Sequence, residues 1–465
     1  MRKYYPTLLL LLLVVQPAGG KTGAPQNQKV EGDEKMTESP EKEVDKLKGN
    51  VLPVEAEVRR LKNGLTVTLV PFDSPGLVAY YTAMRVGSRD EVEKGRSGFA
   101  HLFEHMMFRG TKNLPGSEYD NTVTAMGADS SAWTWNDQTV YFFVAPTQKI
   151  GKVIEMEAER FKNLYYSQED FKTESGAVLG EYNKNFSNPI NKLEEVMWDK
   201  AFKKHTYKHT TMGFIEDIRE MPTMYDYSLQ FFDRHYVPGK ALIFVIGDFD
   251  SKTVIERIEK HYSDWAGEPH VSKTPDEPAQ TKEIRTHISW KNPVLPILLM
   301  GYKIPAYGAS GKESAALVLA GEMLFGKAGP LYRKLVLDEK SAEKIEYWDW
   351  QQRDPGLFII EARLKEDKFD PVIASIDEQI EKLRGGSFDA ERLEKARSNY
   401  KYGLLLSLDT ARNVARQMAF YATLDGDPMG LDTFLGSVEA VTAGDIANVA
   451  EKFLVPQKRT VATLS

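Results

Sequence analysis

Gly98-Phe-Ala-His101-Leu-Phe-Glu104-His105-Met-Met-Phe108 is an apolar run interrupted by two imidazoles and one carboxylate. On a helix, residues four apart share a face, so His101 and His105 direct their rings to one place with Glu104 beside them. Burying three such groups without partners costs several kcal/mol. Neutral imidazoles on a zinc ion, next to a carboxylate, turn that cost into chemistry. A pair of core histidines satisfied by backbone carbonyls fits the same spacing, so a third ligand has to separate the two readings.

Zinc in a hydrolase usually takes three protein ligands and keeps the fourth place for water. The segment from Asp170 to Tyr182 offers Glu174 and Glu181, which lie seven residues apart and so on one helical stripe with Val178 between them. One can ligate and the other assist. By spacing alone they are equally two solvated glutamates of a surface helix.

The His101-x-x-Glu104-His105 pattern resembles the inverzincin signature of the pitrilysin-type metallopeptidases. In that family the third ligand is a Glu about 76 residues beyond the second histidine, and Glu181 stands 76 residues beyond His105. The family's second Glu, seven residues before the ligand, matches Glu174, and its lead-in helix matches Ile150 to Leu164. The run Phe103-Glu-His-Met-Met-Phe-Arg-Gly-Thr111 is similar to the bacterial short-chain members, the group that includes the mitochondrial processing peptidase, and the likeness extends from residue 51 onward. The resemblance implies one Zn2+ per chain on His101, His105 and Glu181. It implies Glu104 as general base in amide hydrolysis and Glu174 as a further catalytic residue that orients the site and balances its charge. The implied fold is α+β: two homologous α/β-sandwich halves, each a sheet covered by helices, forming half of a clamshell completed by a second chain.

The run from Asp129 to Tyr141 resembles the family's substrate-positioning segment, with Ser131-Ala132 where Asn-Ala is usual. Ser131 and Ala132 are therefore the candidate substrate-binding residues, Ser131 being the shorter donor. Alternation of Trp133 and Trp135 with smaller residues reads as an edge strand, to which a peptide can add by main-chain pairing. Tryptophans that merely pack a sheet against helices give the same alternation. The family's Arg and Tyr, seven apart in the second half, stabilise the tetrahedral intermediate, an oxyanion role. Their places here are held by Val336 and Glu343. The missing pair points to a homologous partner subunit that supplies it, with a homodimer as the alternative.

The chain repeats itself. Phe232-Asp-Arg-His-Tyr-Val-Pro-Gly-Lys matches Ala450-Glu-Lys-Phe-Leu-Val-Pro-Gln-Lys at an offset of 218, and Ser167 to Glu181 lines up with Ser387 to Lys401 at 220. Glu394 then falls opposite Glu174, but Lys401 falls opposite Glu181, and the segment Leu319 to Gly326 opposite the histidine helix has no histidine. One copy holds the site and the other has lost it. His205-Thr-Tyr-Lys-His209 also spaces histidines by four, but it lacks an adjacent carboxylate and reads as a packed loop.

Composition bounds the rest. With 465 residues, 42% apolar and 11% aromatic, the chain holds two or three ordinary cores. A net charge of −7, without a basic aromatic patch, argues against nucleic acid. Arg2-Lys3, the apolar run Leu8 to Val15 and Ala18-Gly19-Gly20 read as a signal peptide over residues 1–20. Residues 21–50 read as a disordered tether, 51–268 as the zinc-binding peptidase domain, 269–283 as a Pro-rich linker and 284–465 as the inactive repeat domain. No stable membrane span is expected after signal removal. The absence of cysteine suits an oxidising compartment, so a periplasmic or secreted location is expected. The functional reading is a zinc endopeptidase of peptides or unfolded segments. The alternative is a non-catalytic, peptide-binding scaffold subunit of the same fold, and a zinc hydrolase of other substrates stays open on ligands alone.

Overall fold

The computed structural model describes residues 44–308, 311–348 and 351–465. The candidate signal peptide and most of the candidate tether lie outside them. The first sheet holds β1 (Val44–Lys48), β2 (Glu55–Arg60), β3 (Thr66–Pro71), β4 (Leu77–Met84), β5 (Asp129–Thr134), β6 (Thr139–Pro146) and β7 (Ala241–Gly247), in the order β1-β2-β3-β7-β4-β6-β5. The second holds β8 (Ile284–Ile288), β9 (Ile297–Lys303), β10 (Ala342–Trp348), β11 (Leu357–Leu364) and β12 (Arg459–Leu464), in the order β10-β11-β9-β12-β8. Residues 263–283, which contain the Pro-rich segment, have no helix or strand and run between the two sheets.

Helices of the first half are α1 (Phe99–Met106), α2 (Gly116–Met126), α3 (Ile150–Asn163), α4 (Gln168–Phe186), α5 (Pro189–Ala201), α6 (Ile215–Glu220), α7 (Tyr225–His235) and α8 (Ser251–Tyr262). Those of the second are α9 (Lys312–Phe325), the single turn α10 (Pro330–Tyr332), α11 (Phe369–Arg384), α12 (Ala390–Ser407), α13 (Ala411–Asp425), α14 (Gly430–Ala440) and α15 (Ala443–Lys452). The protein is thus a mixed α/β fold of two helix-covered sheets, as the α+β expectation had it.

Both sheets follow one pattern. β3 runs parallel to β7, and β7-β4-β6-β5 continue antiparallel; β8 runs parallel to β12, and β12-β9-β11-β10 continue antiparallel. Each sheet borrows a helix from the other half. α13 lies on β4 and β7, and its Val414, Met418 and Ala422 share a core with Tyr81, Phe142 and Phe244. α5 lies on β12 and β9, and its Leu193, Met197 and Trp198 pack on Leu299, Ile359 and Leu464. Covered on both faces, central strands need no polar side, which is why β7 reads Ala-Leu-Ile-Phe-Val-Ile-Gly and is buried throughout. Each large apolar side chain so buried is worth about 1.5–3 kcal/mol, so the exchange binds the halves firmly.

A polar clamp adds to it at the loop entering β11. Asp354 accepts from Arg89 at both carboxylate oxygens (2.7 and 3.1 Å) and pairs with His205 Nε2 at 2.8 Å. Nearby, buried Asp137 accepts from the Tyr207 hydroxyl at 2.7 Å and the Arg353 amide at 3.0 Å. The His205–His209 segment is a packed 3₁₀ turn here, with His205 spent on this clamp.

The tether reading needs one correction. Val44–Lys48 is strand β1, paired antiparallel with β2 from Val44↔Arg59 to Lys48↔Glu55. An edge strand can be ordered by main-chain pairing while its side chains stay in water, so its polar composition hid it. The chain after it is pinned as well, because the Asp432 carboxylate accepts the amides of Asn50, Val51 and Leu52 at 2.8–2.9 Å.

Candidate metal centre

Helix α1 is eight residues long, too short to stand alone in water, and is held by packing. Phe99, Ala100, Leu102, Phe103 and Met106 are buried in the first-half core. Gly98 ends the preceding loop at φ +89°, a left-handed conformation, and a Cβ there would lie 2.4 Å from Ile218 Cδ1. Glycine offers no side-chain cap. The buried Glu91 carboxylate does that work from outside the helix, accepting the amides of Gly98 and Ala100 at 2.7 Å each. Burial pushes the Glu91 carboxyl well above its ordinary pKa, against the lowering effect of those two amides.

Helix α4 begins with a capping box in which Ser167 and Asp170 satisfy each other's amides. Phe171, Glu174, Ser175, Val178 and Tyr182 form its buried stripe, and the helix packs against α1. Glu174 thus goes inward with the apolar residues, whereas Glu181 sits at the half-buried margin of the same face.

The two helices bring three donors together. Glu181 Oε2 lies 3.7 Å from His101 Nε2 and 3.5 Å from His105 Nε2. One ligand atom from each residue falls within 4.8 Å of the others, and no second such trio of His, Asp or Glu occurs among the described residues. Donors about 2.0–2.2 Å from a tetrahedral ion are spaced about 3.3 Å apart. The separations here are near that value and too long for good hydrogen bonds. Two imidazoles and a carboxylate are also a donor set suited to zinc, so the residues fit the group.

The surroundings orient this trio. Glu174 Oε1 lies 2.8 Å from His105 Nδ1, so a proton on Nδ1 leaves the Nε2 lone pair facing His101 and Glu181. The other Glu174 oxygen is bonded by Arg109. Glu104 is half-buried on α1, between the two histidines in sequence. Arg109 belonged to the quoted run but had no assigned role, since it lies beyond α1 and only the tertiary fold turns it back on Glu174.

Ser131 and Ala132 lie on β5, the edge of the first sheet, paired on one side only, with Phe142 and Tyr141 of β6. α1 packs against this strand. Strand alternation puts Ala132 on the face of α1 and exposed Ser131, with Trp133, on the opposite face toward α13. Both readings of the tryptophans are therefore realised in part: the strand is an edge, and Trp133 packs on Tyr81 and Phe142. Trp135 falls outside the strand, in the turn to β6.

In the second half, α12 packs on α9 as α4 packs on α1. Lys401 is paired with Glu439, and Glu394 with Arg397 at 2.5 Å. Val336 is half-buried in a π-helical turn (Arg333–Asp338), and Glu343 is exposed on β10.

Residues 80–214 match the family model described as Insulinase (Peptidase family M16), and residues 225–400 match Peptidase M16 inactive domain. The chain belongs to the pitrilysin-type peptidase family M16. Among M16 relatives, the zinc protease PqqE of Helicobacter pylori is 28% identical over 421 residues, covering 87% of this chain and 91% of that one. A crystal structure of a protease from Helicobacter pylori superposes with a TM-score of 0.82 at 28% identity, covering 88% of this chain and 99% of that one. The periplasmic protease PqqL of Escherichia coli shares the fold at 20% identity and a TM-score of 0.72, with 90% of this chain matching 48% of that chain.

Proposed function

We propose that this protein is a zinc-dependent endopeptidase acting on short peptides or unfolded segments, with one Zn2+ held by His101, His105 and Glu181. The observation that carries this reading is the meeting of three donors from α1 and α4 within 4.8 Å, with Glu174 on the far nitrogen of His105. The ion, when bound, would acidify a water and polarise the scissile carbonyl. Glu104 accepts the proton of the attacking water at its carboxylate and returns it to the leaving amine nitrogen. Glu174 holds His105 in the ligating tautomer, and Arg109 balances the Glu174 charge. The free edge of β5, at Ser131 and Ala132, receives the peptide backbone in extended form next to α1.

Two observations favour a second reading, a scaffold subunit. Val336 and Glu343 stand where the family resemblance implies Arg and Tyr, and residues 225–400 match a model described as inactive. We reconcile the two readings by a homologous second chain that lends the missing pair and closes the clamshell. That this chain spans about half of PqqL, leaving room for a second such unit there, supports the arrangement.

We assign residues 51–268 to the zinc-binding half, extended by β1, 269–283 to the linker and 284–465 to a duplicated half without the site. A periplasmic or secreted location is the companion proposal. Among the described residues no helix is long and apolar enough to cross a membrane. Glu104→Gln separates the readings: zinc content is retained while peptide hydrolysis falls by about 10²–10⁴-fold. Unchanged hydrolysis in this variant, or none in wild type with and without a second chain, counts against the enzyme.

A further inference from the structure

The exchanged helix α13 brings two arginines over the edge strand. Arg412 is bonded to Asp129 at the start of β5, and its guanidinium lies 5.1 Å above the Phe142 ring. One turn later, exposed Arg416 lies 5.9 Å from the centroid of Trp133. The two differ in one respect: Arg412 is neutralised by Asp129, whereas Arg416 has no carboxylate within ion-pair distance among the described residues. Asp409, the acid nearest along the chain before this helix, is held by Asn413.

A peptide added to β5 places its side chains alternately on the two faces of the sheet. Those level with Ala132 go toward α1. Those level with Ser131 and Trp133 go toward α13. Directly opposed residues have Cβ atoms about 4.5–5.5 Å apart, so the substrate residue facing Trp133 is brought beside the same indole that the Arg416 guanidinium contacts. Trp133 removes water from one side of that guanidinium, which strengthens a charge pair formed there.

We propose that Arg416 is a specificity-determining residue that selects an acidic side chain, Asp or Glu, at the substrate position paired with Trp133. The inference rests on the peptidase reading and on β5 as the peptide's docking edge. It assigns a function to the exchange of helices, because the selecting residue comes from the half without the metal cluster. The hydrolytic step itself is unaltered by it.

The test moves a single Asp, Asn or Lys along an otherwise neutral extended peptide and measures kcat/KM with the zinc-loaded full chain. The same series is titrated onto Glu104→Gln by fluorescence anisotropy. At one position Asp is preferred over Asn by about two- to fivefold, mainly in KM, and Lys is disfavoured. Arg416→Ala brings the Asp/Lys ratio close to one, and Arg416→Glu inverts it; the residue is exposed, so both variants fold. A parent peptide that is cleaved with no position distinguishing Asp from Lys overturns this inference alone, as does an ordering that survives Arg416→Glu. A parent peptide that is neither bound nor cleaved, with or without a homologous second chain, overturns the peptidase reading and this inference with it.

Discussion

Replacing Glu174 measures how much of the metal site is built by residues that do not touch the metal. Its carboxylate is only 8% exposed and serves two partners, His105 Nδ1 at 2.8 Å and the Arg109 guanidinium. A hydrogen bond to a charged group contributes about 1.5–3 kcal/mol, more than a neutral one, and low exposure limits screening here. Glu174→Gln keeps the shape and an oxygen for His105 but loses the charge, and with it the ion pair to Arg109. Glu174→Ala loses both bonds and frees the imidazole to rotate. Supporting groups of this kind are typically worth 10–100-fold in metal affinity, about 1.4–2.7 kcal/mol. We expect zinc affinity to fall about tenfold in Glu174→Gln and about a hundredfold in Glu174→Ala, read by competition against a chelating dye at fixed pH. Arg109→Ala should cost less than either and add little on top of Glu174→Ala, because the two act through one contact. Wild-type zinc affinity in Glu174→Ala would refute the reasoning, since His105 would then be oriented by something else.

Two further outcomes follow from the same geometry. Hydrogen bonds from His205 and Arg89 hold the Asp354 carboxyl well below its ordinary pKa, outweighing the burial that acts in the opposite direction. A lowered native pKa stabilises the fold above the unfolded-state value, about 3.9, and that stability is lost as pH falls through the native value. Asp354→Asn should therefore cost about 2 kcal/mol at pH 7 in denaturant titrations, with the gap to wild type closing below about pH 4; a gap independent of pH contradicts the clamp. Gly98→Ala meets both a positive φ and a Cβ position 2.4 Å from Ile218 Cδ1. It should destabilise by about 2 kcal/mol in thermal melts and weaken zinc binding by misplacing α1, and a neutral effect on both would contradict the view that Gly98 sets the entry of α1.

Much of this fold is legible locally. β7 is a continuous apolar run because it is buried on both faces, and α3 ends at Asn163, one residue short of the Ile150 to Leu164 helix that the family resemblance implied. β1 escaped the reading because a solvated edge strand leaves no hydrophobic period to detect. The same limit applies to the site. His101 and His105 share a face by helix geometry alone, but nothing in the α4 sequence distinguishes the inward Glu174 from a solvated glutamate until the helix is packed against α1.

What this sequence determined by itself is short-ranged: which residues lie four apart on α1, which lie seven apart on α4, and which segments alternate as strands. These follow from the backbone periods of 3.6 and 2, which need no distant partner. Tertiary structure alone decided that Glu181 Oε2 comes within 3.5–3.7 Å of both imidazoles and that α13 crosses to the other half's sheet. Those distances depend on how separately folded faces stack, and face-to-face packing is set by the whole core rather than by any one segment.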